Sequence, residues 1–535
     1  MKIRISYVPV IAIFALLACS RAAAQAEWKA DLTAYLAEPD GQRAEALAAQ
    51  IVNAGPSWQE VCGELENMQF PAPKVSSGLI PEMFKCSDGA ERPYVVYVPP
   101  AYDPLTPTPL LLFLHGGVSD EQLESGPIGY CRKNPFLQTA EQHNWLMLFP
   151  FGQKGATWWD RVGMDMVLQE IRQMKSRYNV DDNRVWMTGF SDGGSAAYLF
   201  ALLYPTDFAA FVPLNGHMGV GALDGKLATY APNLANSPLH CINTDLDPLY
   251  PAAEMRKMID MALAAGADID YREYNGLGHT FDYAAAELPV IARFLTASAR
   301  NPLSPRLTWE TAGQEGGQCR WFRIDRISLA EPADWYRDWN LALTDTRVSF
   351  GFFPDFEYDG QGIKISSLAE GDSLSKRLGL QAGDVLQRCG EMAINTGDDL
   401  AAFKATVERG SQVTVQIERE GGTMNLQGHI PDPENYLLFP RSQPSAAAHV
   451  TVRANKISIQ GSRLERFTAF IHPDLFQLDQ ELVIELNGSE VSRTAIVPSV
   501  GYIIRNFREN RDRRALYVAE VSVDTRAPLS REHAD

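Results

Sequence analysis

Between about residues 75 and 300 the chain alternates apolar runs with amphipathic ones, and this pattern constrains the fold more than any other feature. PYVVYVP, LLLFLHGG, NWLMLFP, RVWMTGFS, AAFVPLNG, LHCINTDLD and IDYREYNG are strand candidates, while MDMVLQEIRQMKSRY and AAEMRKMIDMALAAG repeat apolar residues at helical spacing. Strands this apolar are buried on both faces, so strand and helix in turn predict a mostly parallel, doubly wound sheet of the α/β class. The alternation stops at RNPLSPR, where RLTWET and RWFRIDRISL predict a β segment over 301–345. A separate unit over 346–430 has strand candidates RVSFGFFPDF, GIKISSL, DVLQRCG and QVTVQIERE and one helix, DDLAAFKATVE. After PDPEN, the strands HVTVRANKISIQG, RFTAFIHP and ELVIELNG predict a C-terminal β domain over 431–535, with Asn487-Gly488 as a hairpin turn. Residues 27–74 read as a short helical segment, a small N-terminal cap, ending in the Pro-rich PAPK.

A chain of 535 residues has room for several such domains. Its 48 Lys plus Arg against 66 Asp plus Glu leave a net charge of −18, which repels phosphate backbones and argues against nucleic acid as a partner. Residues 1–26 place Lys2 and Arg4 before an apolar run that is too short for a good membrane span, the pattern of an export signal. Two processing sites compete there. Leu16-Leu17-Ala18-Cys19 resembles a bacterial lipobox, whereas Ala24-Gln25-Ala26 suits ordinary signal peptidase. The expected location is therefore the periplasm, the outer membrane through a lipid on Cys19, or the medium, with no other membrane attachment. Cys62, Cys86, Cys131, Cys241, Cys319 and Cys389 form an even set in an exported chain, so disulfides are open to them without an assignable pairing. There is no CxxC pair and no HExxH helix, and neither metal nor cofactor is expected.

The chemistry-bearing motif is Gly189-Phe190-Ser191-Asp192-Gly193-Gly194, between the strand candidate RVWMTGF and a helix beginning near Gly193. A lone GxSxG recurs by chance, but a sharp strand-to-helix turn at this place would lift the serine hydroxyl above the sheet edge as a nucleophile elbow. Other residues make the pattern specific. His115-Gly116-Gly117 follows a strand, where Gly117 would supply one oxyanion donor and the Asp192 N–H the other. Asp247 lies in INTDLDPLYP and His279 in NGLGHTF, so the order HGG, Ser, Asp, His is that of an α/β-hydrolase. In this reading His279 takes the proton of Ser191, and Asp247 holds the imidazole tautomer. Asp245 competes for the third role, with the D-P-x-x-P context favouring Asp247; His115 is read as orienting its loop, and His217 as a lesser candidate for lining the site.

On GATWWD, YNVDDNRVWMTGFSDGG, the D-P-x-x-P segment and GLGHTF, residues 75–300 resemble the polyhydroxybutyrate depolymerase, feruloyl esterase and acetyl esterase branch of the α/β-hydrolases. The resemblance implies a serine carboxylic-ester hydrolase acting on a small or polymer-linked ester, including acyl groups on polysaccharide. Trp158 and Trp159, on a loop before a helix, are placed as substrate-binding candidates, with loop packing as the competing role. A serine peptidase of the prolyl oligopeptidase type shares the scaffold and stands as an alternative, as does an inactive surface scaffold. SLSKRLGLQAGDVLQRCGEMAINTGDDLAAFKATVERGSQVTVQIEREG makes residues 346–430 resemble a PDZ domain of the bacterial protease-associated type. That likeness implies a groove for a peptide C-terminus, although VSFGFFPDF departs from the usual carboxylate loop. The terminal strands resemble an uncharacterised β domain that accompanies such hydrolases, and with 301–345 they would form one β unit interrupted by the PDZ-like insertion.

Overall fold

The structure is a computed structural model that describes residues 27–68, 76–118, 126–313, 316–355, 358–369 and 371–526. The export-signal segment and Cys19 lie outside the described residues. Two compact units are present, one formed by the chain up to Trp339 together with Phe439 onward, the other by Asn340–Leu438.

The alternating region forms an eight-stranded sheet of β1 (Gly78–Lys85), β2 (Glu91–Val98), β3 (Thr108–Leu114), β4 (Leu146–Pro150), β5 (Val180–Phe190), β6 (Ala210–Leu214), β7 (Leu239–Thr244) and β8 (Ile269–Tyr274), in the order β1-β2-β4-β3-β5-β6-β7-β8. From β4 to β8 across the sheet all neighbours are parallel, while β2 runs antiparallel to β1 and β4. This is the strand order of the α/β-hydrolase fold. LMLFP, AFVPL and LHCINT are buried at every position, as central strands covered on both faces must be, whereas edge strand β8 alternates. Helices Arg161–Arg177, Asp192–Leu203, Ala252–Ala264 and Ala284–Ala297 occupy the crossovers. The sequence pattern missed β1, a half-exposed edge strand with a proline and no apolar run.

The rest of this unit is built from chain segments far apart in sequence. Arg306–Thr311 pairs with Ala446–Arg453, and Phe322–Ile327 pairs with Leu464–Ile471, giving a five-stranded and a four-stranded sheet. Helical residues 27–37, Gly41–Asn53 and Trp58–Glu66 share their core: Trp28, Tyr35, Ile51 and Leu65 are buried with Trp309, Trp321, Phe467, Ile484 and Phe507. The N-terminal segment is thus a cap on the β sheets rather than on the α/β sheet. The six cysteines among the described residues are buried and form no disulfide, and no helix among the described residues is long and apolar enough to cross a membrane.

The second unit closes where Ala342–Asp345 pairs with Glu434–Leu437, so it is wider than residues 346–430. Strands Ile363–Leu368, Val385–Cys389, Gln412–Arg419 and Gly422–His429 enclose Ile365, Leu386, Val415 and Ile417, and helix Gly397–Lys404 starts at a Thr396–Asp399 capping box. Among its described residues, RVSFGFFPDF contributes the short strand Phe352–Pro354, with Gly351 at φ 75° breaking the extended run before it.

One buried carboxyl in the β sheets gives a test. Glu310 accepts from Ser445 Oγ at 2.6 Å and Tyr336 Oη at 2.9 Å, and burial pushes its pKa from 4.5 up to about 7. The folded state therefore binds this proton more tightly than the unfolded chain, and the resulting stability, complete below pH 4.5, is lost as pH rises through about 7. Glu310→Gln should gain a few degrees in Tm relative to the parent at pH 8 and not at pH 4, as read by calorimetry; a pH-independent difference would contradict this account.

Candidate active site

Three parallel strands deliver the site. At the end of β5, Ser191 has φ 60° and ψ −120°, a conformation that costs a non-glycine residue energy and is held by the packing around it. Glycine is required at Gly193, where a Cβ would lie 1.9 Å from the Leu114 carbonyl oxygen at the end of β3. The turn feeds directly into helix Asp192–Leu203, so the first N–H groups of that helix face the region beside Ser191 Oγ.

Ser191 Oγ lies 2.8 Å from His279 Nε2, and His279 Nδ1 lies 2.8 Å from Asp247 Oδ2. Because the carboxylate can only accept, Nδ1 carries the proton and Nε2 is left as the acceptor for the serine hydroxyl. Asp247 follows β7, and its Oδ1 accepts from the N–H groups of Leu249 and Tyr250 at 2.8 and 3.0 Å. Burial opposes its charge, but the hydrogen bonds from His279, Asn215 and Tyr250 outweigh that and hold its pKa below the ordinary carboxylate value. Asp245 points elsewhere and accepts from Gly276 N–H at 2.7 Å, tying down the turn before His279. The geometry pairs Asp247, not Asp245, with the histidine.

The loop after β3 lies against Ser191. A Cβ on Gly116 would sit 2.8 Å from Ser191 Cβ, and Gly117 is exposed at φ 69°. Asp192 clamps this loop: its Oδ2 accepts from Val118 N–H at 3.0 Å and its Oδ1 from the Tyr250 hydroxyl at 3.4 Å. His115 is buried, donates from Nδ1 to the Gly116 carbonyl at 2.7 Å, and has a pKa lowered by desolvation, so it stays neutral and orients its loop.

The two tryptophans are placed differently. Trp158 is fully buried and its indole N–H donates to the His115 carbonyl at 2.9 Å, so it supports the loop from behind instead of meeting a substrate. Trp159 is half-buried and packs beside Gly225. His217 is buried, with Nδ1 accepting from Gly219 N–H and Nε2 donating to Glu254 at 3.4 Å. Sequence reasoning missed Tyr250, Asn215, Thr244 and Tyr283, whose hydrogen bonds surround Asp247; no motif carries a signal for them. No cluster of metal-ligating side chains occurs among the described residues.

Residues 151–308, which include Ser191, Asp247 and His279, match the Dienelactone hydrolase family. The chain is 35% identical over 143 residues to the bifunctional acetylxylan esterase/xylanase XynS20E of Neocallimastix patriciarum, covering 26% of this chain and 20% of that protein. It thus spans about a fifth of that relative's length. It is 26% identical over 237 residues to a probable feruloyl esterase C of Aspergillus terreus, covering 41% of this chain and 83% of the relative. Among solved structures, a thermostable esterase aligns over 42% of this chain and 63% of its own, at 23% identity and a TM-score of 0.35.

The two aspartates give a direct test. Asp247→Asn should slow phosphonylation of Ser191 by an organophosphonate by a factor on the order of 10³, since the wrong imidazole tautomer would then face the serine. Asp245→Asn should change it by less than about tenfold. Mass spectrometry of the labelled peptide reads both rates, and equal effects would break the assignment.

Proposed function

We propose that this chain is a serine carboxylic-ester hydrolase, and the observation that carries the proposal is the unbroken chain Ser191–His279–Asp247 at an α/β-hydrolase elbow. His279 Nε2 takes the hydroxyl proton as Ser191 Oγ attacks the ester carbonyl carbon, and Asp247 stabilises the imidazolium. The oxyanion that forms is stabilised by the N–H of Asp192 and that of Gly117. Collapse expels the alcohol, which takes the proton back from His279 and leaves an acyl group on Ser191. Water deprotonated by His279 then attacks the acyl carbon, and the acid departs.

Acyl groups on polysaccharide, acetyl or feruloyl, are the proposed substrate class, supported by the acetylxylan esterase and feruloyl esterase names of the relatives. Trp159 remains the aromatic candidate for contact with the sugar or acyl group. Export is part of the same proposal, supported by the basic and then apolar start of the sequence. The unit Asn340–Leu438 is proposed as a PDZ-like accessory module able to take a peptide C-terminus.

The purified protein should cleave short acyl esters, and acetylated xylan or feruloyl esters among natural substrates, while Ser191→Ala abolishes both turnover and covalent labelling. Labelling retained in the variant would move the nucleophile elsewhere, and cleavage of peptide amides without esters would transfer the reading to a peptidase.

The module gives a second test. Leu438 N–H donates to the Leu341 carbonyl at 2.9 Å, so the two ends of the module are adjacent and a short Gly-Ser bridge can replace it. A folded excision variant should keep small-ester turnover within about tenfold, or 1.4 kcal/mol of barrier. Near-complete loss would mean that the module helps to build the site.

A further inference from the structure

A closed set of hydrogen bonds lies behind the Asp247–His279 pair. Asp247 Oδ2 accepts from His279 Nδ1 and also from Asn215 Nδ2, at 2.9 Å. The same amide nitrogen donates to Thr244 Oγ1 at 2.7 Å, and that hydroxyl donates to the carbonyl of Gly278, the residue before His279, at 2.7 Å. Asn215 Oδ1 in turn accepts from the Tyr283 hydroxyl at 2.6 Å. Tyr283 follows His279 closely in the chain and immediately precedes helix Ala284–Ala297. The circuit therefore runs from Asp247 through His279 and its loop to Tyr283, and back through Asn215.

These groups sit where only one arrangement satisfies them. Asn215 and Thr244 are fully buried and Tyr283 nearly so, which keeps them off any substrate. Turning the Asn215 amide over would set its oxygen against the Asp247 carboxylate, two buried acceptors facing each other. The Tyr283 proton holds the oxygen on its own side. Asn215 has φ 43°, a left-handed conformation that asparagine tolerates better than most side chains, and its N–H donates to the Ile242 carbonyl at 2.8 Å.

We infer that Asn215, oriented by Tyr283, is the positioning residue of this site: it aims Asp247 Oδ2 at His279 and, through Thr244, fixes the backbone that carries the histidine. The inference rests on the reading of Ser191 as nucleophile. Its chemical consequence is specific. Asn215 competes with His279 for the same carboxylate oxygen, so losing it makes that oxygen more basic and strengthens its hold on the imidazolium. That stronger hold is read in the acidic limb of the pH profile. The other titratable groups around the pair are Tyr250, with Asp192 beyond its hydroxyl, and Tyr283, with Glu287 and Tyr274 beside it.

Two variants test this. Tyr283→Phe deletes one hydroxyl, and Asn215→Gly deletes the amide while allowing the left-handed backbone. The kcat, KM and pH profile of kcat/KM on a short acyl ester are measured for each, with Tm and the rate of phosphonate labelling at Ser191. The expected result is KM within about twofold, kcat lower by roughly tenfold in Tyr283→Phe and more in Asn215→Gly, and an acidic limb displaced upward by about half a pH unit or more. Folded variants with unchanged kcat and an unmoved limb would overturn the inference, as would a kcat loss that follows Tm while the limb stays in place. If Asn215→Gly does not fold, Tyr283→Phe decides alone. A parent protein that phosphonate does not label at Ser191 would sink the ester hydrolase reading itself, a result distinct from a labelled parent with indifferent variants.

Discussion

The structure turns on the contact between Gly193 and the Leu114 carbonyl. It lets the start of helix Asp192–Leu203 press against the end of β3, and only then can Ser191 stand in its strained left-handed conformation with Oγ clear of the sheet. Neighbouring contacts have the same character: a Cβ on Gly194 would lie 2.4 Å from the Leu214 carbonyl oxygen, and one on Gly216 2.3 Å from the Gly194 carbonyl carbon. Backbone from β3, β5 and β6 is thereby brought together around Ser191. The loop of Gly116 and Gly117, the helix N-terminus and the Asn215 turn all take their positions from this convergence.

Asp192 shows how such a packed turn handles an awkward charge. A carboxylate one residue after Ser191 would oppose an oxyanion formed nearby, yet here the Val118 N–H and the Tyr250 hydroxyl engage both of its oxygens. The charge is used to hold the loop. Tyr250 also orients Asp247 through its backbone N–H, so one residue after β7 serves both sides of the site.

What could be read from the sequence follows from burial. The central strands were legible because chain covered on both faces is continuously apolar, and Ser191, Asp247 and His279 stood out as candidates, which the structure brings within hydrogen-bond distance of one another, because their spacing and order are tied to strand ends. Edge strand β1 was hidden by its polar and proline content. For Trp158 the sequence left substrate contact and loop packing both open, because a tryptophan on a loop gives no sign of which way its ring turns; here it turns inward to the His115 carbonyl. Asn215 and Tyr283 could not be found at all, since an Asn-Gly pair after a strand reads as a turn and a tyrosine before a helix reads as packing. The docking of helices 27–66 on the β sheets depends on contacts across hundreds of residues, which local periodicity does not encode.

The same distance separates the partners that join the α/β sheet to the β sheets. Arg300, where the alternating pattern ends, makes a bidentate pair with Asp512 at 2.6 and 3.0 Å, and Asp182 lies 3.3 Å from Lys175 and 3.0 Å from Arg513. Desolvation penalises the Asp512 charge, but Arg300 and Lys175 overcome it and hold its pKa far below the carboxylate range. Buried pairs like these add little net stability compared with apolar packing, because desolvation offsets their attraction. They are selective, however: any displacement of the joint strands a charge without water or partner. Helix Arg161–Arg177, which carries Lys175, contacts the strand leading to Ser191, so the charged joint and the strained elbow lie at opposite ends of β5. The loop carrying Asp512 and Arg513 therefore braces the base of the strand whose other end carries Ser191.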